Sequence, residues 1–133
     1  MVRLIIFFLV SVSSVFATDL KITDASNTII VVHDAFIDYG GLMGDKETEG
    51  LRIYQGEAMV TALWANIRSV TITGKTTSAE PRPTAEIIPR KGSKINTTLV
   101  SKGRMRLSGK TDLGDYDIDL EKIRIIEPLQ QQQ

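Results

Sequence analysis

From Leu20 onward, apolar and polar residues alternate in short runs, broken every few positions by turn-forming residues. Leu20-Lys21-Ile22-Thr23 alternates and ends in the turn cluster Asp24-Ala25-Ser26-Asn27. Residues 28–38 are rich in β-branched side chains, which fit a pleated, half-buried surface. Residues 40–50 are glycine-rich and then charged, a loop composition. Residues 51–54 and 58–63 flank Gln55-Gly56, and residues 69–73 place Val70 and Ile72 on one face. Pro81 and Pro83 make residues 78–83 a connector, because proline cannot donate to a ladder. Residues 84–88 and 94–100 flank Arg90-Lys91-Gly92-Ser93, a hairpin signal, and residues 104–107, 116–120 and 123–127 complete the set. No window carries the apolar spacing of a long amphipathic helix. The pattern predicts an all-β fold, a small sandwich or strongly bent barrel of short, mostly antiparallel strands. Alternation puts Ile30, Val32, Phe36, Ile53, Val60, Trp64, Ile67, Val70, Ile72, Ile87, Leu99, Leu107, Ile118, Leu120, Ile123 and Ile126 in its core.

One pattern recurs. Trp64-x-x-Ile67-Arg68-x-Val70 returns as Leu120-x-x-Ile123-Arg124-x-Ile126, 56 positions later. Val60 and Ala62 lead into the first, Tyr116 and Ile118 into the second. A spacing of two becomes three across the step, so each corner inserts one residue, as a bulge or short 3₁₀ turn does. The expectation is two similar half-sheets; the alternative is chance recurrence among apolar residues.

The start of the chain has a different texture. Met1-Val2-Arg3 is a short positive segment, Leu4 to Val10 is unbroken apolar, and Val15-Phe16-Ala17 is a small-x-small site. This reads as a secretory signal peptide over residues 1–17, with an apolar run well short of the roughly 20 residues a spanning helix needs. A single all-β domain is then expected over 18–128, with residues 129–133 as a polar, disordered tail. The expected location is periplasmic or extracellular, with no integral membrane segment after signal removal.

Charge and chemistry narrow the picture. The chain has 16 basic and 16 acidic residues. That balance gives no electrostatic reason to propose nucleic acid as a partner. With no cysteine, disulfides, thiolate catalysis and cysteine metal sites are excluded. Asp112, Asp115, Asp117, Asp119 and Glu121 are the sharpest charge cluster, but their spacing fails the calcium-loop pattern at its glycine and final glutamate. They read instead as the outer face of a strand whose inner face is Tyr116, Ile118 and Leu120. A hairpin through residues 109–114 would set Arg106 opposite Asp117 and Arg104 opposite Asp119, fixing register. His33, the one histidine, reads as a half-buried strand residue with Asp34 on the opposite face. Trp64, the one tryptophan, reads as core. Asn96-Thr97-Thr98 is a sequon only in a eukaryotic secretory pathway. Arg82, Arg90, Lys91, Lys94, Lys102, Arg104 and Arg106 lack the interleaved aromatics of a base-stacking surface.

The stretch Leu107-Ser108-Gly109-Lys110-Thr111-Asp112-Leu113-Gly114, with Tyr116, Ile118, Leu120, Ile123, Arg124 and Ile126 after it, resembles small exported bacterial all-β domains. The resemblance implies fold and export and carries over no functional residue. No residue is singled out as catalytic, cofactor-binding or metal-ligating, and no cofactor is expected. The leading expectation is a non-enzymatic exported β-domain that binds a protein or cell-envelope component, for instance by strand addition to an open edge. The alternatives are a carboxylate-dependent hydrolase, using Asp34, Asp38 or the 112–121 cluster, and a small-ligand carrier.

Overall fold

A computed structural model describes residues 18–40, 45–100 and 105–130; the proposed leader, residues 1–17, lies outside them. Eleven strands run through the described residues. They are β1 (Leu20–Asp24), β2 (Ile29–Asp38), β3 (Lys46–Glu47), β4 (Gly50–Gln55), β5 (Ala58–Leu63), β6 (Ile67–Lys75), β7 (Pro83–Pro89), β8 (Ile95–Thr98), β9 (Arg106–Thr111), β10 (Gly114–Asp119) and β11 (Ile123–Pro128). The fold is all-β, and every pairing is antiparallel. Neighbouring strands follow the order β10-β9-β2-β1-β11-β6-β7-β8, with β3 on β2. The β4-β5 hairpin joins the far end through an isolated Ile53–Leu99 bridge.

This order is a two-unit architecture. At an offset of 56 the β4-β5 hairpin becomes β9-β10, the 3₁₀ turn Trp64–Asn66 becomes Leu120–Lys122, and β6 becomes β11. The two corners match in detail. Leu63 and Asp119 enter them extended (φ −71 and −65), and the amides of Ile67 and Ile123 close them onto the carbonyls of Trp64 and Leu120. The Trp64 amide donates to Glu49 O and the Leu120 amide to Met105 O, both at 2.9 Å. The one-residue insertion expected from spacing is therefore a 3₁₀ turn, built twice.

The first unit continues into β7 and β8; the second is completed by β1 and β2 from the other end of the chain. Ile22 pairs with Ile30 as Ile87 pairs with Ile95, an offset of 65. The intervening turns also match: Ala25 N donates to Lys122 O and Arg90 N to Asn66 O. Asn27 and Gly92 share the left-handed position (φ 66 and 107). Asparagine tolerates that conformation because its short side chain bonds locally. The pseudo-twofold axis passes at the Val70–Ile126 pair, whose members are each other's equivalents. The Leu129 amide donates to Asp19 O at 2.9 Å, so the β1–β11 ladder extends into the segment expected to be a tail.

Inward side chains from both units form one cluster, led by Trp64, Leu20, Ile22, Ile37, Leu51 and Leu107. Eleven of the sixteen expected core residues are buried. Ile30, Val60, Ile72 and Ile118 are only partly buried. Val60 and Ile118 sit on the outermost strands, where no further strand among the described residues covers them. Phe36 is a correction: Ala35 and Ile37 are buried and Phe36 is half-exposed. Asp34 (φ 51) lies at a bulge between His33 and Phe36, and the extra residue shifts the alternation by one.

Candidate functional site

The ends of the strand path are β5 and β10, equivalent strands whose outer edges pair with no other strand among the described residues. Each closes its hairpin with a two-residue loop, Gly56-Glu57 and Asp112-Leu113. In β5 the closing pair is Gln55–Ala58, so the ladder to β4 uses residues 58, 60 and 62. The peptide groups of Met59, Thr61 and Leu63 point away from the sheet, toward the edge. By the repeat, those of Asp115, Asp117 and Asp119 do so in β10.

The side chains divide the two edges sharply. β10 carries an aspartate at each of these three positions, like charges that discourage strand addition. β5, Ala58-Met59-Val60-Thr61-Ala62-Leu63, has no charge and no proline. Met59 is 61% exposed and Leu63 40%. An uncharged edge with exposed apolar side chains is a template for another strand. Its partner β4 is firmly held on the other side. Arg52 N donates to the Tyr39 phenol at 2.8 Å, Arg52 forks onto Asp45 at 2.6 and 2.8 Å, and Arg82 donates to the Tyr54 phenol at 2.7 Å. Burial pushes the Tyr39 phenol up to about 12.

The outer face of β2, β9 and β10 is charged and self-satisfied. The register corrects the expected hairpin: Arg106 faces Asp119 and Ser108 faces Asp117, because the loop is two residues long rather than a 109–114 turn. Arg106 nonetheless reaches both aspartates, Nε to Asp117 at 2.8 Å and Nη1 to Asp119 at 2.6 Å. Ser108 Oγ adds a bond to Asp117. The Arg106 guanidinium, with Ser108 behind it, holds the Asp117 carboxyl below the usual range. Arg104 lies outside the described residues. Next to this network, Asp34, Phe36, Lys110, Asp115 and Asp117 line a shallow groove of about 340 Å³.

The remaining candidates are dispersed. His33 Nδ1 lies 3.0 Å from Asp19. Glu121 pairs with Lys75 at 2.9 Å, and Lys94 with Glu86 at 3.6 Å. Asn96 lies on β8. Trp64 is buried at 1% exposure, as expected. Among the described residues, no three histidine or carboxylate side chains converge to hold a metal, and no helix is long and apolar enough to cross a membrane.

No known protein family, curated protein or solved structure matches this chain. Sequence reasoning missed the β5 edge. Its only signal was the missing charge in residues 58–63, which stands out once the repeat sets them beside 114–119.

Proposed function

We propose that this is an exported, non-enzymatic β-domain that binds an extended segment of a protein partner by strand addition along β5. The observation that carries the reading is the contrast between equivalent edges: three aspartates on β10, none on β5. Main-chain bonds at residues 59, 61 and 63 supply affinity, and the side chains of Met59 and Leu63 supply apolar contact. The positive n-region, apolar run and small-residue site of residues 1–17 support action outside the cytoplasm.

The hydrolase reading has less behind it. A general acid needs a raised carboxyl pKa, whereas Arg106 and Ser108 drive that of Asp117 down. The carrier reading needs interior room, and the 18 buried apolar side chains pack as one core cluster among the described residues. The test is capture from an envelope extract at several salt concentrations, followed by hydrogen exchange on the captured complex. Protection of the Met59, Thr61 and Leu63 amides is expected. No reproducible partner, or unchanged exchange at these amides, contradicts the proposal.

A further inference from the structure

The two corners are one construction used twice, so each is a control for the other. Both leave a cleft beside the 3₁₀ turn: about 380 Å³ at the first and about 230 Å³ at the second. The repeat places Ala65 on Glu121, Arg90 on Ala25, Leu129 on Thr73 and Thr18 on Pro83. At the second corner the polar groups are used internally. Glu121 takes Lys75, Arg124 donates to Asn27, and Leu120 stands where the first corner has Trp64.

The first corner keeps donors to spare. Trp64 is 1% exposed, lines the cleft, and its indole Nε1 has no hydrogen-bond partner among the described residues. A buried donor left unpaired forfeits its hydration without return, so a native fold rarely keeps one without a use. Arg90 stands beside it, its Nε donating to Ala65 O at 3.1 Å and its Nη2 to Pro128 O at 3.3 Å. A guanidinium has five N–H donors, so these two bonds fix its plane and leave others free. Among the described residues Arg90 forms no ion pair. The other lining residues are Thr18, Ala65, Leu129 and Gln130, none of them charged.

We propose that this cleft binds an organic carboxylate. The site offers N–H donors, a fixed positive fork and an apolar wall at Leu129, and none of its described lining side chains is anionic. A planar carboxylate matches that fork in bidentate geometry, and the Trp64 indole N–H supplies a further donor. The site does not depend on strand addition at β5.

The single tryptophan makes the test direct. Its indole N–H gives one resonance in a proton–nitrogen correlation spectrum of the full chain. N-acetylglycine, its neutral analogue N-acetylglycinamide, and sulfate are titrated at matched ionic strength. The expected result is a saturable downfield shift of the indole proton with N-acetylglycine alone. Arg90→Gln should weaken that binding at least tenfold, while Lys75→Gln at the second corner leaves it unchanged. Because Arg90 also ties two carbonyls, Trp64→Phe serves as a second variant: it keeps a smaller aromatic ring, loses the donor, and should weaken binding read at the Ala65 and Leu129 amides. An indole that does not shift, an equal response to the amide or to sulfate, or unchanged binding in either cleft variant overturns the proposal.

Discussion

Asp34 is the residue at which simple alternation stops being a guide. Its left-handed backbone shifts the phase, so Ala35 and Ile37 are buried and Phe36 is turned outward. An Ile-Val-Val-His-Asp-Ala-Phe run carries no local sign of that insertion, because the bulge is fixed by pairing with β9, more than 70 residues away. Where no bulge intervenes, alternation is reliable, and the truncation series should follow burial. Ile123→Ala, at a site 2% exposed, should cost about 2–5 kcal/mol in urea unfolding. Ile118→Ala, only partly buried, should cost clearly less; equal losses would place Ile118 deeper than described. Tyr39 gives a residue-scale pH prediction. Its folded-state pKa is raised from 10.0 to about 12. The neutral phenol's contribution is thus complete below pH 10 and is lost as pH rises toward 12. The absorbance change at 295 nm that disappears in Tyr39→Phe should have its midpoint near 12, and a midpoint near 10 would contradict the burial of this phenol.

At the scale of elements, strand existence was legible because the chain repeats a period of two between turn residues. Register was less so: the loop of the β9-β10 hairpin is two residues, Asp112-Leu113, and the glycines at 109 and 114 do different work. Gly109 lies where β9 passes β2; a Cβ there would meet Val32 Cγ1 at 2.5 Å and His33 O at 2.7 Å. Ile53, its equivalent in β4, has room for a full side chain. The matched turns offer a cleaner test. Gly92→Ala forces a side chain into a left-handed backbone and should cost about 1–2 kcal/mol. Gly92→Asn, which imitates Asn27, should cost less. The comparison by thermal unfolding fails if the two variants are equally destabilised.

For the whole molecule, the recurrence 56 positions apart was visible in seven residues around each corner, and it proves to organise both complete hairpins, both corners and the strands after them. The second relation, at 65, was hidden, because β1 and β2 complete a unit whose other members lie at the opposite end of the chain. That arrangement makes a circular permutant a direct structural test. A chain beginning at Met105, joined from Gln130 to Thr18 and ending at Val100 keeps every strand pairing intact. It should fold cooperatively with the same circular dichroism spectrum, because Leu129 already bonds Asp19. Loss of cooperative folding would mean that the two units are not interchangeable in order.

The candidate site was illegible in the sequence for a related reason. A free edge is a property of topology, and neither residues 58–63 nor 114–119 announce which strand lies last. Once the units are matched, Thr61 and Asp117 are equivalent positions, both with peptide groups facing outward. The decisive measurement therefore places the same substitution at each. Thr61→Pro and Asp117→Pro both remove an edge-facing amide without removing a ladder bond to β4 or β9. With folding of each variant verified by circular dichroism, capture of the envelope partner should be lost in Thr61→Pro and retained in Asp117→Pro. Retention by Thr61→Pro, or equal loss in both, would contradict binding along β5.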